Sequence, residues 1–296
     1  MVENPTVVFE ERRPFLTGLA YRILGSLAEA EDAVQDTYLK WQGLDHDTIA
    51  NAAAWLTTAC TRRCIDILRS AHRARTEYVG AWLPEPIQTM TDESPEDAAH
   101  LSSSLSLAFM LVLERLAPKE RAAFLLHEVF DQSYLDVANT LGVTETACRK
   151  LVSRARNRIG RDEAGSTVSK VRQDELLSAF QTAIETGNTS RLATLMRADI
   201  ALKADGGGKA LALLQPLSGK DDVLAFLGGT LTRFWTGFRW QHVDINGTRG
   251  ALVFDGVSIV ASVSFSADAT GNLSGIFIMR NPDKLARLGA GMRTIQ

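Results

Sequence analysis

Arginine is the residue through which this sequence offers chemistry, and it crowds two stretches. Residues 62–75 hold five arginines (Arg62, Arg63, Arg69, Arg73 and Arg75) against one acid, Asp66. Residues 145–161 hold six basic side chains (Arg149, Lys150, Arg154, Arg156, Arg158 and Arg161) against Glu145 alone. Such faces supply contacts to phosphate oxygens even though the whole chain carries a formal charge of −3. A solvated helix face is the plain alternative for either stretch. Three other groupings invite a chemical reading. Asp205-Gly206-Gly207-Gly208-Lys209 could be mistaken for a phosphate loop, but it lacks the Walker spacing and a Ser or Thr after the lysine. Its glycines fit a sharp turn or the close approach of another segment better. His242 and Asp244 stand two apart on an alternating segment, so they share a face and form either an acid–base pair or an outward polar surface. Cys60 and Cys64 lie one helical turn apart without a histidine at ligand spacing, and read as small buried hydrophobes rather than half of a metal site.

The elements that must carry these residues are mostly helices. Phe9, Leu16, Leu19, Ile23 and Leu24 recur at helical spacing up to a break at Gly25-Ser26. Leu27 to Trp41 continues with Ala30, Val34, Tyr38 and Trp41 on one stripe and acids elsewhere, and Asn51 to His72 forms a third helix facing inward with Trp55, Leu56, Ala59, Ile65 and Leu68. Trp55 reads as core packing rather than a base-stacking platform. The prolines of Trp82-Leu83-Pro84-Glu85-Pro86 end the helical pattern, leaving a linker with an unexpected Trp and Leu. Ser94-Pro95-Glu96-Asp97 looks like a new helix start. Further on, Ser133 to Leu141, Gly142 and a Thr144-capped helix to about Ile159 have the helix-turn-helix layout. Its second helix would present Glu145, Thr146, Arg149, Lys150, Ser153 and Arg154 outward, while Val137, Ala138, Leu141, Val143, Ala147 and Leu151 form its core. Arg154, Arg156 and Arg158 suit phosphates. A helix over 168–187 is followed by alternating runs at 238–245, 251–254, 257–265 and 273–279, which predicts an α+β domain with an antiparallel sheet.

The order of these segments resembles a known family. Glu29-Ala-Glu-Asp-Ala-Val-Gln-Asp-Thr-Tyr-Leu-Lys-Trp41 is similar to the polymerase-binding helix of sigma region two in the extracytoplasmic-function sigma factors. Ala54 through Arg75 resembles the part of that region that melts and reads the minus-ten element. Leu116-Ala-Pro-Lys-Glu-Arg-Ala-Ala-Phe124 through Arg158 resembles region four, which reads the minus-thirty-five element. Trp82-Leu-Pro-Glu-Pro86, Asp205-Gly-Gly-Gly-Lys209 and Asn281-Pro-Asp-Lys-Leu285 are similar to motifs of the sigma-J-like subgroup, whose members carry a fused C-terminal SnoaL/NTF2-like domain. The resemblance implies four segments: sigma region two over 7–75, a linker over 76–94, region four over 95–161, and a regulatory domain over 168–296.

It further implies contact with core RNA polymerase through Glu29, Asp32, Gln35 and Asp36, and with minus-ten DNA through Arg62, Arg63, Arg69, Arg73 and Arg75, with the loop Leu44 to Asn51 beside a captured base. Minus-thirty-five contact falls to Glu145, Thr146, Arg149, Lys150, Ser153 and Arg154. The regulatory contact joins Trp82, Leu83, Pro84, Glu85 and Pro86 to Asp205, Gly206, Gly207, Gly208 and Lys209, with Asn281, Pro282, Asp283, Lys284 and Leu285 nearby, so no separate anti-sigma protein is needed. No cofactor, metal or catalytic step is expected.

Length and composition agree. At 296 residues and 45% apolar, the chain is long enough for several domains with cores. No run approaches the ~18 unbroken apolar residues of a membrane span, the acidic start Met-Val-Glu-Asn-Pro without an apolar run is not expected to be a signal peptide, and three cysteines are too few for a disulfide framework. A cytoplasmic protein is expected. Two rivals stay open: an enzyme or small-ligand sensor built on the C-terminal domain, and a conventional repressor.

Overall fold

The computed structural model describes residues 4–76, 78–89, 104–160 and 168–289, and the side chains of all of these except 71–76. Among them, 4–76 with 112–160 form one compact unit, and 78–89 and 104–111 with 168–289 form a second.

The first unit is helical. It begins with α1 (Pro5–Leu24), α2 (Leu27–Gln42) and α3 (Ala52–Thr76). Local chemistry sets their ends. The Asn4 side chain accepts from the Thr6 N–H, Gly25 takes the left-handed φ of 73° that closes α1, and Ser26 caps α2 by accepting from Glu29 N–H. Phe9, Leu16, Leu19, Ile23 and Leu24 are buried with Ala30, Val34 and Trp41, and with Leu56, Cys60, Cys64, Ile65 and Leu68. Trp41 also donates its indole N–H to Pro5 O at 2.7 Å. The third helix runs past the expected His72. The next described helix, α4 (Leu107–Leu113), straddles the division, with residues 107–111 counted in the second unit; the region-four start expected at Ser94-Pro95-Glu96-Asp97 lies outside the described residues. Then come α5 (Pro118–Phe124), which continues as a wider π turn to Val129, α6 (Tyr134–Leu141) and α7 (Glu145–Ile159).

The second unit is α+β. Helices α8 (Lys170–Thr186) and α9 (Ser190–Leu195) lead into β1 (Met196–Asp205); β2 (Leu217–Ser218), α10 (Lys220–Ala225) and α11 (Thr232–Trp235) follow. The chain then forms β3 (Arg239–Ile245), β4 (Thr248–Asp255), β5 (Ser258–Ala267), β6 (Leu273–Met279) and α12 (Pro282–Leu285). The six strands are ordered β2-β1-β6-β5-β4-β3, antiparallel except where β1 runs parallel to β6. The last four match the expected runs to within three residues; β1 starts just ahead of Asp199, beyond which β-branched and alternating segments are expected.

Each face of this sheet has its own core. Val253, Ala261, Val263, Ile276 and Ile278 pack with Phe180, Ala183 and Ile184 of α8 and with Trp235. Their neighbours Leu252, Phe254, Phe277 and Met279 point the other way, as period-two alternation requires, and pack with Leu83, Leu107, Leu285 and Leu288. The proline-containing segment therefore supplies part of a core instead of hanging as a spacer. Leu83, Pro84, Glu85, Pro86 and Ile87 are all buried.

Candidate functional site

The helix-turn-helix is built from strong local signals. Ser133 and Thr144 cap α6 and α7 by accepting from Asp136 N–H and Ala147 N–H, and Gly142 ends α6 at φ 62°. The buried stripe of α7 is Cys148, Val152, Ala155 and Ile159. The expected Ala147 and Leu151 are only half-buried, because steps of four, three and four starting at Cys148 follow the side of the helix that α5 and α6 cover. Cys148 is thus a core residue. Glu145, Thr146, Arg149, Lys150, Ser153 and Arg154 are all exposed.

These side chains are not equally available. Glu145 Oε1 accepts from Arg149 Nε at 3.1 Å and Nη2 at 2.6 Å, and the Arg149 guanidinium carbon lies 4.2 Å from the Tyr134 ring centroid. Arg156 donates to Glu128 and Arg158 to Glu120, each at 2.6 Å. Glu120 is buried at the start of α5, so these two arginines, expected at phosphates, brace α7 against α5 and its π turn.

On α2, Asp32 and Gln35 are exposed, while Glu29 and Asp36 are half-buried. Arg63 Nε donates to Asp36 Oδ2 at 2.7 Å, so the two expected contact faces share an ion pair. Arg69 lies 3.6 Å from Asp66. Arg62 donates to Thr140 O at 3.1 Å and Asn139 O at 3.4 Å, and Lys119 to Leu141 O at 3.5 Å. Two cations thereby satisfy the carbonyls that the end of α6 leaves open. Arg62, Ile65, Asp66, Arg69, Lys119 and Leu141 line a groove of about 240 Å³. The side chains of Arg73 and Arg75 lie outside those described. In the loop before α3, His46 stacks edge-on to Trp41 at 4.4 Å, and Trp55 lies 5.6 Å from the same ring.

In the second unit, one carboxylate gathers the remaining motifs. Asp205, with no exposed surface, accepts from Tyr78 OH at 2.6 Å and Gly207 N–H at 3.0 Å on Oδ1. Its Oδ2 accepts from Leu83 N–H at 2.9 Å and Lys284 Nζ at 2.8 Å. Lys284 also donates to Leu83 O at 2.6 Å and sits 4.4 Å from the Trp82 ring centroid. Asn281 Nδ2 donates to the Tyr78 oxygen at 2.8 Å, Lys209 pairs with Asp283, and Arg287 lies 3.8 Å from buried Glu85. Burial and the Asp205 carboxylate push the Tyr78 phenol above its ordinary range. Gly207 has φ 60°, and a Cβ there would fall 2.3 Å from Asn281 Nδ2, so the turn needs glycine on two counts. Leu285 packs in the same core as Leu83, and Pro84 is buried. At the other end of the segment, Ile87 N–H donates to Asn246 Oδ1 at 3.1 Å and Asn246 N–H to Ile87 O at 2.9 Å.

The alternative chemistries find less support. His242 Nε2 bonds to Gln181 Oε1 at 2.8 Å, whereas Asp244 is held by Arg249 at 2.7 Å and lies 3.8 Å from Lys170. The two side chains thus bond to separate partners in the structure. Cys60 and Cys64 are fully buried, and burial pushes the Cys64 thiol well up. No group of three or more metal-ligating side chains occurs among the described residues, and none of their helices is long and apolar enough to cross a membrane.

Sequence reasoning passed over Tyr78, Asn246, Tyr134 and Arg121. Arg121 is buried and donates to Ile23 O at 2.8 Å and Glu114 at 2.7 Å. Only Tyr78 carried a signal: it is another aromatic in a proline-containing linker.

Comparison with known proteins gives a consistent picture. Sigma-70 region 2 matches residues 8–74, and Sigma-70 region 4 matches 106–159. The chain is 35% identical over 286 residues to the ECF RNA polymerase sigma factor SigJ of Mycobacterium tuberculosis, covering 93% of this chain and 91% of that protein. It is 27% identical over 294 residues to the probable ECF RNA polymerase sigma factor SigI of the same organism, covering 97% and 98%. The crystal structure of M. tuberculosis SigJ superposes with a TM-score of 0.73 at 31% identity, over 95% of this chain and 98% of that one.

Proposed function

The chain belongs to the extracytoplasmic-function sigma factors of RNA polymerase, and from that premise we propose how its residues divide the work of promoter recognition. Asp32 and Gln35, with Glu29 and Asp36 beside them, form the face offered to the polymerase. Arg62, Arg63 and Arg69 on α3, with Arg73 and Arg75 in the same sequence run, hold the minus-ten strand. Glu145, Thr146, Arg149, Lys150, Ser153 and Arg154 read and grip the minus-thirty-five duplex. The observation that carries this division is that all six of these α7 side chains are exposed while the opposite stripe of the helix is buried.

The Asp36–Arg63 pair supports a coupling between the two α2/α3 tasks. A basic polymerase group that takes over Asp36 releases Arg63 toward the DNA strand. Similarly, Arg62 spends its Nε and one Nη2 hydrogen on the end of α6, and leaving it frees that edge for phosphate. The buried Asp205 network supports a regulatory role for the second unit: residues 78–89 join the two sigma segments in sequence, yet they are built into the sheet domain. That domain thereby restrains the segment, without requiring a separate anti-sigma protein. The commitments of His242 and Asp244 support a non-catalytic reading.

The test is reconstitution. Full-length protein should co-purify with core RNA polymerase and direct it to start at defined promoters. Arg149→Ala with Lys150→Ala should weaken minus-thirty-five binding and flatten its salt dependence. A chain that joins no polymerase, or a salt slope unaltered by the double substitution, would count against the assignment.

A further inference from the structure

Among the outward side chains near the start of the recognition helix, Arg149 has a guanidinium that is held before any DNA arrives. Arg149 is exposed, and a long exposed side chain ordinarily samples many rotamers that binding must freeze out. Two neighbours restrict it. Glu145, one turn earlier, takes the Nε and Nη2 hydrogens on a single oxygen at 3.1 and 2.6 Å. The Tyr134 ring lies under the guanidinium at 4.2 Å, a favourable cation–π geometry. Tyr134 itself is fixed from behind, because the His127 ring stacks on it at 3.9 Å with a 31° tilt and His127 Nδ1 lies 2.8 Å from Gln132 O. The side edge of the guanidinium is therefore occupied by Glu145 and one flat face by Tyr134. What remains open is the end carrying Nη1 and the second Nη2 hydrogen. Two parallel donors at that end match the O6 and N7 acceptors on the major-groove edge of guanine.

Building on the recognition-helix reading above, we propose that Arg149 selects a guanine in the minus-thirty-five element and that Tyr134, from the preceding helix, is the positioning residue that aims it. His127 acts one step further back, by holding the tyrosine ring. Tyr134 lies outside the stretch that faces the groove, so it sets specificity through Arg149 without reading a base itself. Its hydroxyl is dispensable to this role; the ring face is not.

The experiment uses holoenzyme assembled from the full chain and core polymerase. It selects bound molecules from a duplex promoter pool randomised across the minus-thirty-five element, and sequences them. Wild type should prefer guanine at one position by about fivefold or more, and Arg149→Ala should erase that preference. Tyr134→Phe, which keeps the ring, should retain it. Tyr134→Ala should narrow it by about two- to fivefold while leaving the slope of affinity against salt unchanged. Two results would overturn the platform role: Tyr134→Ala selecting guanine as strongly as wild type, or weakening every sequence alike, as general damage to the fold would. A guanine preference that survives Arg149→Ala would overturn the role of Arg149, and the platform with it, while loss of all sequence selection in the wild type would count against the recognition-helix reading itself.

Discussion

Glu145 and Asp205 are both carboxylates with a cationic partner, yet they stand in opposite surroundings. Glu145 and Arg149 are largely exposed, one turn apart on a single helix, so their pair is screened by water and salt. Asp205 has no exposed surface, and four donors, two from the segment 78–89 and one each from Gly207 and Lys284, converge on its two oxygens. The difference matches the tasks proposed for them. A charge meant to meet DNA has to exchange partners readily, and an exposed pair does so at little cost. A charge meant to hold a segment in place gains from burial, since losing one partner strands the other in a medium that solvates it poorly.

The comparison can be broken or sharpened by measurement. Asp205→Ala leaves Lys284 half of a buried pair and should destabilise the second unit by about 3–5 kcal/mol, read from chemical denaturation of the full chain. Glu145→Ala should cost no more than about 0.5 kcal/mol by the same measurement, and similar values for the two would end the contrast. Leu83→Ala should cost about 2–5 kcal/mol, because its side chain is fully buried beside Phe277 and Met279; a smaller loss would mean that the hydrogen bonds alone hold the segment. Arg62→Ala should lower the salt slope of minus-ten single-strand binding by roughly 0.7, and an unaltered slope would remove Arg62 from the strand contact. Asp36→Asn should alter stability by only about 0.2–1 kcal/mol, while strengthening single-strand binding by the chain without polymerase. Unchanged or weaker binding would discard the coupling through Arg63.

The first unit was the more legible in sequence, for a physical reason. Ser26, Ser133, Thr144, Gly25 and Gly142 each act within four residues of themselves, so their spacing announces the helix ends they make. The hairpin strands share that locality. What stayed hidden was burial of charge. Nothing in Pro118-Lys119-Glu120-Arg121 marks Glu120 and Arg121 as buried, because only the surrounding helices decide it. The inward stripe of α7 was placed one residue early for the same reason: the covering helices, not the pattern of one helix, select the face. The partners of Asp205 lie 122 residues away at Leu83 and 127 at Tyr78, distances over which spacing carries no information. That segment was reached through family resemblance, and its full burial was not anticipated.

These separations also order events during synthesis. Leu83 is made 122 residues before Asp205 and 201 before Lys284. At about 5–20 residues per second, the carboxylate follows the leucine by roughly 6–24 seconds. Throughout that interval the stretch from Tyr78 to Ile87 lacks the Asp205 carboxylate that Tyr78 and Leu83 bond to, and the helices on either side emerge without the anchor. Every ribosome making this chain thus produces, briefly, an untethered form of it.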